Sequence, residues 1–148
     1  MIQNLLIGLS VIVSCMIIQC AMIASVMRPI MKGSKSNEDA GFFELALHLS
    51  LVLVTLLIGN LIQVAIWGTT FVILGEFDDI NAAVYHSMVN FTALGYGDLV
   101  MSEQRRLLGG LEALNGMIML GLSTSVMYGI FRFSFQAKWE KLTNENRK

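Results

Sequence analysis

Three long apolar segments, separated by more polar stretches, dominate the chain. They run from Leu5 to Met27, from about Leu45 to Leu74 and from Leu107 to Phe133. Each exceeds the roughly 20 apolar residues that an α-helix needs to cross a bilayer. The pattern therefore predicts three transmembrane helices. At ~1.5 Å per residue the middle one would reach about 45 Å, so we expect it to tilt or to project beyond one face.

A fourth, shorter helix is predicted between the second and third apolar segments. Asp78 or Asp79 suits its N-cap, and the helix should run from Ile80 to about Thr92. A polar segment bracketed by glycines follows, Thr92-Ala93-Leu94-Gly95-Tyr96-Gly97-Asp98. Polar backbone that re-enters a membrane is tolerated only where it lines water or is buried in protein. The pattern thus favours a pore loop over a surface helix with a tight turn.

Composition and charge agree with an integral membrane protein. Of 148 residues, 55% are hydrophobic and only 14% are charged, whereas soluble domains are about 25% charged. The net charge of −1 and the lack of a basic, aromatic patch give no sign of nucleic-acid binding. No catalytic triad, carboxylate pair, metal-ligand spacing or phosphate loop is evident, so the sequence does not favour an enzyme or a cofactor.

The basic residues predict the orientation. The first segment lacks a positive leading region and is interpreted as an uncleaved helix, not a signal peptide. With its N-terminus outside, eight of the ten Lys and Arg fall on the cytoplasmic side, as the positive-inside rule requires. We expect a multi-pass protein of the plasma (inner) membrane with a cytoplasmic C-terminus. Its parts would be a peripheral helix and loop (residues 1–41), a pore domain (42–134) and a short tail (135–148).

The glycine-bracketed segment has the chemistry of an ion site. A dehydrated cation can cross hydrocarbon only if something replaces its water, and backbone carbonyls aimed at a common axis do so. Gly95 and Gly97 enter positive φ without a Cβ penalty, which lets successive carbonyls turn to one side. Tyr96 between them is expected to point outward into the protein as a spacer.

Residues Gly95 to Asp98 resemble the T-x-G-Y-G-D selectivity filter of the potassium channel superfamily. The resemblance covers roughly Ile73 to Phe133 as helix, pore helix, filter and inner helix. It implies an all-α membrane fold and a potassium-selective channel. Because one chain supplies one filter strand, a homotetramer in the lipid bilayer is expected, with K⁺ as the permeant ion. The ion-binding residues would be Thr92, Ala93, Leu94, Gly95, Tyr96 and Gly97, with K⁺ held by the carbonyls of Ala93 to Tyr96.

The resemblance also implies residues that support the filter. Tyr85 and His86 occupy the place of an aromatic pair whose polar tips would hydrogen-bond toward Asp98 and Tyr96. His86 is interpreted as a neutral structural histidine, with an external pH sensor as the alternative. Glu112 lies inside the third span, where a carboxylate is costly. It would brace the pore helix from behind, through Asn90 or Tyr85.

One position departs from the family pattern. Thr92 is followed by Ala93, where a second threonine usually lends its hydroxyl to the innermost ion site. We expect that site to hold a cation more weakly. The departure keeps a weakly selective cation channel open as an alternative, and a non-conducting membrane adaptor with the same fold is a second alternative.

Few features of the sequence indicate how the channel would open and close. Gly121 resembles the glycine hinge of bacterial inner helices, although simple packing explains it equally well. The first span has no arginine ladder, so no voltage sensor of the usual kind is predicted. Glu44 and His48 share a helix face and are interpreted as an interfacial pair of unassigned role.

Overall fold

The fold is that of a computed structural model that describes the backbone of residues 1–33 and 42–145 and the side chains of residues 1–28 and 46–132. The described backbone forms four α-helices and no strand. These helices are α1 (Ile2–Gly33), α2 (Phe42–Ile73), α3 (Ile80–Phe91) and α4 (Arg106–Glu145). The predicted all-α architecture is confirmed.

Three of these helices are long and apolar enough to cross a membrane. The candidate spans are Ile2–Arg28, Ala46–Ile73 and Arg106–Arg132. They agree with the three predicted segments to within a few residues at each end. Helix α4 has 40 residues, or about 60 Å at 1.5 Å per residue, which is about twice the thickness of the hydrocarbon core. Its helical backbone therefore continues through most of the tail.

Helix α3 begins where the sequence predicts. The carboxylate of Asp79 accepts hydrogen bonds from the backbone N–H groups of Asn81 and Ala82, both at 3.2 Å. Asp79 is thus the N-cap. In the described part of the chain α3 contacts α2 and α4, whereas α1 contacts only α2 and α4. The two long helices α2 and α4 therefore hold the short helix and the first helix together.

The C-terminal end of α3 lies directly against α4. A Cβ atom at Gly116 would collide with the carbonyl group of Phe91, the last residue of α3. Only glycine permits this approach, because it has no side chain. The start of the polar segment is consequently fixed against the middle of α4.

Apolar side chains fill the space between the long helices. One cluster, around Trp67, Phe71 and Leu108, lies near the end of the fold that carries the polar loops. A second cluster contains Val26 and Ile130 and lies near the opposite end. Many other large apolar side chains are exposed along α1, α2 and α4, as expected for helices that face lipid or other subunits.

Candidate ion pore

Helix α3 ends in a Schellman motif that leads into the glycine-bracketed segment. The N–H of Ala93 donates to the carbonyl of Asn90 (2.8 Å), and the N–H of Leu94 donates to that of Val89 (2.9 Å). Ala93 is left-handed, with φ of 56°. Glycine usually takes this position, because a Cβ atom is disfavoured there. Ala93 is thus unusual in two respects. It adopts a backbone conformation that usually belongs to glycine, and its side chain lacks the hydroxyl group that the second threonine of the family pattern supplies.

The left-handed conformation recurs at every second residue. Positive φ values occur at Ala93 (56°), Gly95 (62°) and Gly97 (75°), and not at the residues between them. An alternation of this kind lets successive carbonyl groups face one side of the strand. In the described chain, none of the carbonyl oxygens of residues 92–97 accepts a hydrogen bond. These oxygens are therefore available as ligands for a dehydrated cation.

The segment lies on the surface of the single subunit. Residues 92–98 are all exposed, and Tyr96 is 67% exposed. Tyr96 was expected to point into the protein, but it does not pack against its own chain. The segment connects two candidate spans, and exposed backbone carbonyls within hydrocarbon need protein or water around them.

Tyr85 and Asp98 form the expected contact. The Tyr85 hydroxyl donates to Oδ2 of Asp98 at 2.7 Å. This hydrogen bond lowers the pKa of the Asp98 carboxyl group and raises the pKa of the Tyr85 hydroxyl. It joins α3 to the residue that follows the last glycine, so it can hold the outer end of the segment.

His86 has different partners from those expected. Its Nδ1 lies 3.0 Å from the carbonyl oxygen of Leu99, and its Nε2 lies 2.9 Å from Nδ2 of Asn90. A neutral ring with its proton on Nδ1 satisfies both contacts. Burial, partly against Phe71 and Phe77, lowers the pKa of His86. The geometry fits the structural interpretation of this histidine, and it bonds neither Asp98 nor Tyr96.

Glu112 reaches α3, but through a residue that the sequence did not indicate. Its side chain is fully buried, and it forms a hydrogen bond with the Ser87 hydroxyl group. Asn90 also interacts with the carboxyl group, although Tyr85 does not. The supporting role of Glu112 stays a prediction, with Ser87 as its principal partner.

The side of α4 that faces away from Glu112 is exposed. Leu108, Glu112, Asn115 and Met119 are buried, whereas Leu114, Ile118, Gly121 and Ser125 are exposed. A Cβ atom at Gly121 would have no neighbour within 4 Å. Packing within the described chain therefore gives no reason for this glycine, and its role as a hinge stays a prediction.

The loop after the segment is tied to the loop before α3, and sequence analysis did not find this contact. Glu76 accepts hydrogen bonds from the backbone N–H (2.8 Å) and hydroxyl (2.9 Å) of Ser102. Its carboxylate also lies 3.4 Å from Nε of Arg105. Glu76 has an ordinary loop context in the sequence, and nothing in its spacing points to these partners.

A buried polar network joins the three long helices. Nε2 of Gln63 donates to Oε1 of Gln19 at 2.8 Å, and Nδ2 of Asn115 lies 3.4 Å from Oε1 of Gln63. Gln19 also lies 3.3 Å from the Ser123 hydroxyl. Gln19 and Asn115 are not among the residues that the sequence pattern singled out. Amide side chains in apolar helices are the signal that could have found them.

The remaining candidates contribute little to the site. The side chain of Glu44 lies outside the described residues, so its pairing with His48 stays a prediction. His48 is exposed on α2.

Comparison with known proteins identifies the family. Residues 60–133, half of the chain, match the model of a family described as ion channel. The chain belongs to this ion channel family. The matched region begins in α2 and contains α3, the glycine-bracketed segment and the whole candidate span of α4 (Arg106–Arg132). This extent is expected for a pore domain of the potassium channel superfamily. No curated protein and no solved structure matches the chain.

The family match and the three candidate spans make this a multi-pass membrane protein with an ion channel domain. We call residues 92–98 the filter segment from here on. Among the described residues, no group of His, Cys, Asp or Glu side chains is suited to hold a metal ion.

Proposed function

We propose that four copies of this chain form a potassium-selective channel that conducts K⁺ passively. The observation that carries the proposal is the filter segment, in which positive φ alternates along a strand whose carbonyl oxygens accept no hydrogen bond. One strand can contact an ion from one side only. Four strands around a rotation axis would surround it with oxygens, in the arrangement that potassium-selective filters use.

In this assembly K⁺ would bind the carbonyl oxygens of Ala93, Leu94, Gly95 and Tyr96. The outer end of the filter segment would be held by the bond between Tyr85 and Asp98 and by the contact of His86 with the Leu99 carbonyl, and Glu112 would support α3 from behind. The exposed side of α4 around Gly121 would line the inner part of the pore. K⁺ is the permeant ion, and no cofactor is required.

We further propose that the N-terminus is outside and the C-terminus is cytoplasmic in a plasma membrane. Nδ2 of Asn4 donates to the carbonyl of Gln104 at 2.6 Å. The start of α1 and the loop after the filter segment therefore share one side of the membrane. Most of the Lys and Arg positions in the described backbone lie toward the opposite ends of α1 and α4, on the side that the positive-inside rule makes cytoplasmic.

Ala93 favours a second candidate, a weakly selective monovalent cation channel. Its methyl group supplies no oxygen to the innermost site, so that site has carbonyl ligands alone. Selectivity for K⁺ over Na⁺ depends on the number and field strength of the coordinating oxygens.

The experiment is reconstitution of the purified protein into liposomes, with bi-ionic K⁺ and Na⁺ gradients and the mass of the complex measured in parallel. We expect a tetramer whose reversal potential is displaced far from zero, in the direction that K⁺ permeation alone would set. A reversal potential near zero would favour the weakly selective channel. A tetramer without flux would favour a non-conducting adaptor.

A further inference from the structure

A single serine hydroxyl connects three helices behind the filter segment. Ser87 of α3 is fully buried, and its Oγ lies 2.8 Å from the carbonyl oxygen of Val64 in α2. The same Oγ is hydrogen-bonded to Oε1 of Glu112 in α4. Glu112 is also fully buried and lies inside the third candidate span.

The number of protons limits the charge state of Glu112. A serine hydroxyl has one hydrogen to donate, a backbone carbonyl only accepts, and an ionised carboxylate only accepts. If Glu112 were ionised, one of the two contacts of Ser87 would join two acceptors with no hydrogen between them. A neutral carboxylic acid removes this conflict, because it donates to Ser87 and leaves the serine hydrogen for Val64.

The surroundings of Glu112 also disfavour an ion. The groups that act on its carboxyl group are Ser87 and Asn90 of α3, and no described Lys or Arg is among them. Cys15 of α1 lies near enough for Glu112 to act on its thiol group. The described side chains of α2 include no Asp, Glu, Lys or Arg, and His86 of α3 is engaged by Leu99 and Asn90. Oε2 has no hydrogen-bond partner in the described chain. A carboxylate inside a span normally needs a counter-charge or water.

We propose that Glu112 is held as a neutral carboxylic acid and acts as a positioning residue. Its proton orders a chain of hydrogen bonds from Glu112 to Ser87 to the Val64 carbonyl, which locks α4, α3 and α2 to one another. We call this chain the proton clamp. The inference rests on the proposed function only in that α3 is the helix that precedes the filter. Because the clamp fixes the middle of α3, it fixes the helix end from which the filter segment departs.

The charge state is tested by infrared difference spectroscopy of purified protein against its Glu112→Gln variant at neutral pH. We expect a carboxylic acid C=O band in the parent that is absent from the variant. A pair of carboxylate bands in its place would overturn the proposal. This measurement does not depend on ion conduction, so a silent protein would count against the proposed channel function and leave the clamp to be decided by the spectrum.

The positioning role is tested by conduction. Glu112→Leu removes the donor, and we expect steady K⁺ flux to fall by about tenfold or more, since a buried hydrogen-bonded group loses its partner. Glu112→Gln should rescue the flux, because a carboxamide N–H can donate to Ser87 without a charge. Ser87→Ala should match Glu112→Leu, and the double variant should be no worse than either.

Ser50→Ala is the matched control. The Ser50 hydroxyl is exposed and bonds only within α2, to the carbonyl of Ala46 at 2.8 Å. We expect it to leave flux unchanged. A Glu112→Gln variant as damaged as Glu112→Leu would show that the charge matters, and additive losses in the double variant would show that the two side chains act separately. Either result would overturn the clamp.

Discussion

The backbone carbonyls of the filter segment are unpaired, whereas the buried polar side chains behind it are hydrogen-bonded. We call these buried polar side chains the framework. In residues 92–97 the carbonyl oxygens accept no hydrogen bond and the residues are exposed. Behind them Gln19, Gln63 and Ser87 are fully buried and hydrogen-bonded. Unpaired polar groups are costly in hydrocarbon. The difference indicates that unpaired carbonyls are kept where a cation can serve as their partner, whereas the side chains of Gln19, Gln63 and Ser87 find their partners within the chain.

The two regions also depend on different parts of the residue. The filter segment depends on backbone conformation, so an added Cβ atom should do the most harm there. The framework depends on side-chain partners, so loss of a donor or acceptor should do the most harm. Substitutions that keep one property and change the other can separate them.

The largest effect is expected from Gly95→Ala and Gly97→Ala. A Cβ atom would meet nothing within 4 Å at either position, so the cost is conformational, about 1–2 kcal/mol in each subunit. We expect loss of K⁺-selective flux, because the carbonyls would turn away from the axis. Bi-ionic flux in liposomes measures it.

Gly75→Ala is the matched control for this prediction. Gly75 has φ of 74°, close to the 75° of Gly97, and its Cβ position is also open. The strain is the same but the residue lies in the loop before α3. It should lower stability and leave selectivity intact. If Gly97→Ala and Gly75→Ala behave alike, the filter assignment fails.

A somewhat smaller effect is expected from Tyr85→Phe and Asp98→Ala. Each removes the 2.7 Å bond between α3 and the outer end of the filter segment. We expect tetramers of normal mass whose K⁺ current decays or is absent. Ser10→Ala is the control, because the Ser10 hydroxyl is exposed on α1 and bonds only within that helix, to the carbonyl of Leu6 at 2.8 Å. Steady currents in both test variants would contradict the brace.

The framework is tested by Gln63→Leu. The change leaves Oε1 of Gln19 and Nδ2 of Asn115 without their partner, at a cost of about 1–3 kcal/mol. Thermal unfolding in detergent should shift to lower temperature while selectivity stays the same. Gln3→Leu, at an exposed position of α1, should shift neither. If Gln63→Leu changed selectivity and left the unfolding temperature unchanged, Gln63 would act on the filter segment and not on stability, which would contradict the comparison.

The smallest effect is expected at Ala93. Ala93→Thr restores a hydroxyl at the innermost site, so internal barium, which resembles potassium in size, should block more strongly. Selectivity should change little, because the sites formed by Leu94, Gly95 and Tyr96 are unchanged. The φ of 56° opposes the change, since a β-branched residue rarely adopts it. Ala93→Gly relieves the backbone without adding an oxygen and is the control.

Equal barium block in Ala93→Thr and Ala93→Gly would mean that the missing threonine has no effect on the innermost site. A large gain in selectivity in Ala93→Thr alone would favour the weakly selective channel as the natural function.

The sequence was sufficient to predict the positions of the helices and the positive φ values of two glycines. Long apolar runs predict the spans, the aspartates before Ile80 (Asp78 or Asp79) predict the start of α3, and the spacing of Gly95 and Gly97 predicts positive φ at both. These features are local, because each depends on a few neighbouring residues.

The partners across helices were not predictable in the same way. Glu112 interacts with Asn90, one of its two expected partners, but it does not reach Tyr85, the other. It forms its hydrogen bond with Ser87. His86 bonds the Leu99 carbonyl instead of Asp98. Which side chains meet depends on the rotation and height of each helix against the next, and one residue of register changes the partner. The positive φ of Ala93 was missed because sequence rules assign that conformation to glycine.

The most direct test of the proposed pore is the ion density along the expected fourfold axis of the purified complex, compared between K⁺ and Na⁺. We expect a row of density peaks in K⁺, each surrounded by carbonyl oxygens of residues 93–96 from four subunits, and weaker or displaced density in Na⁺. A complex in which these carbonyls face away from the axis, or in which the density is the same in both ions, would contradict the proposed pore.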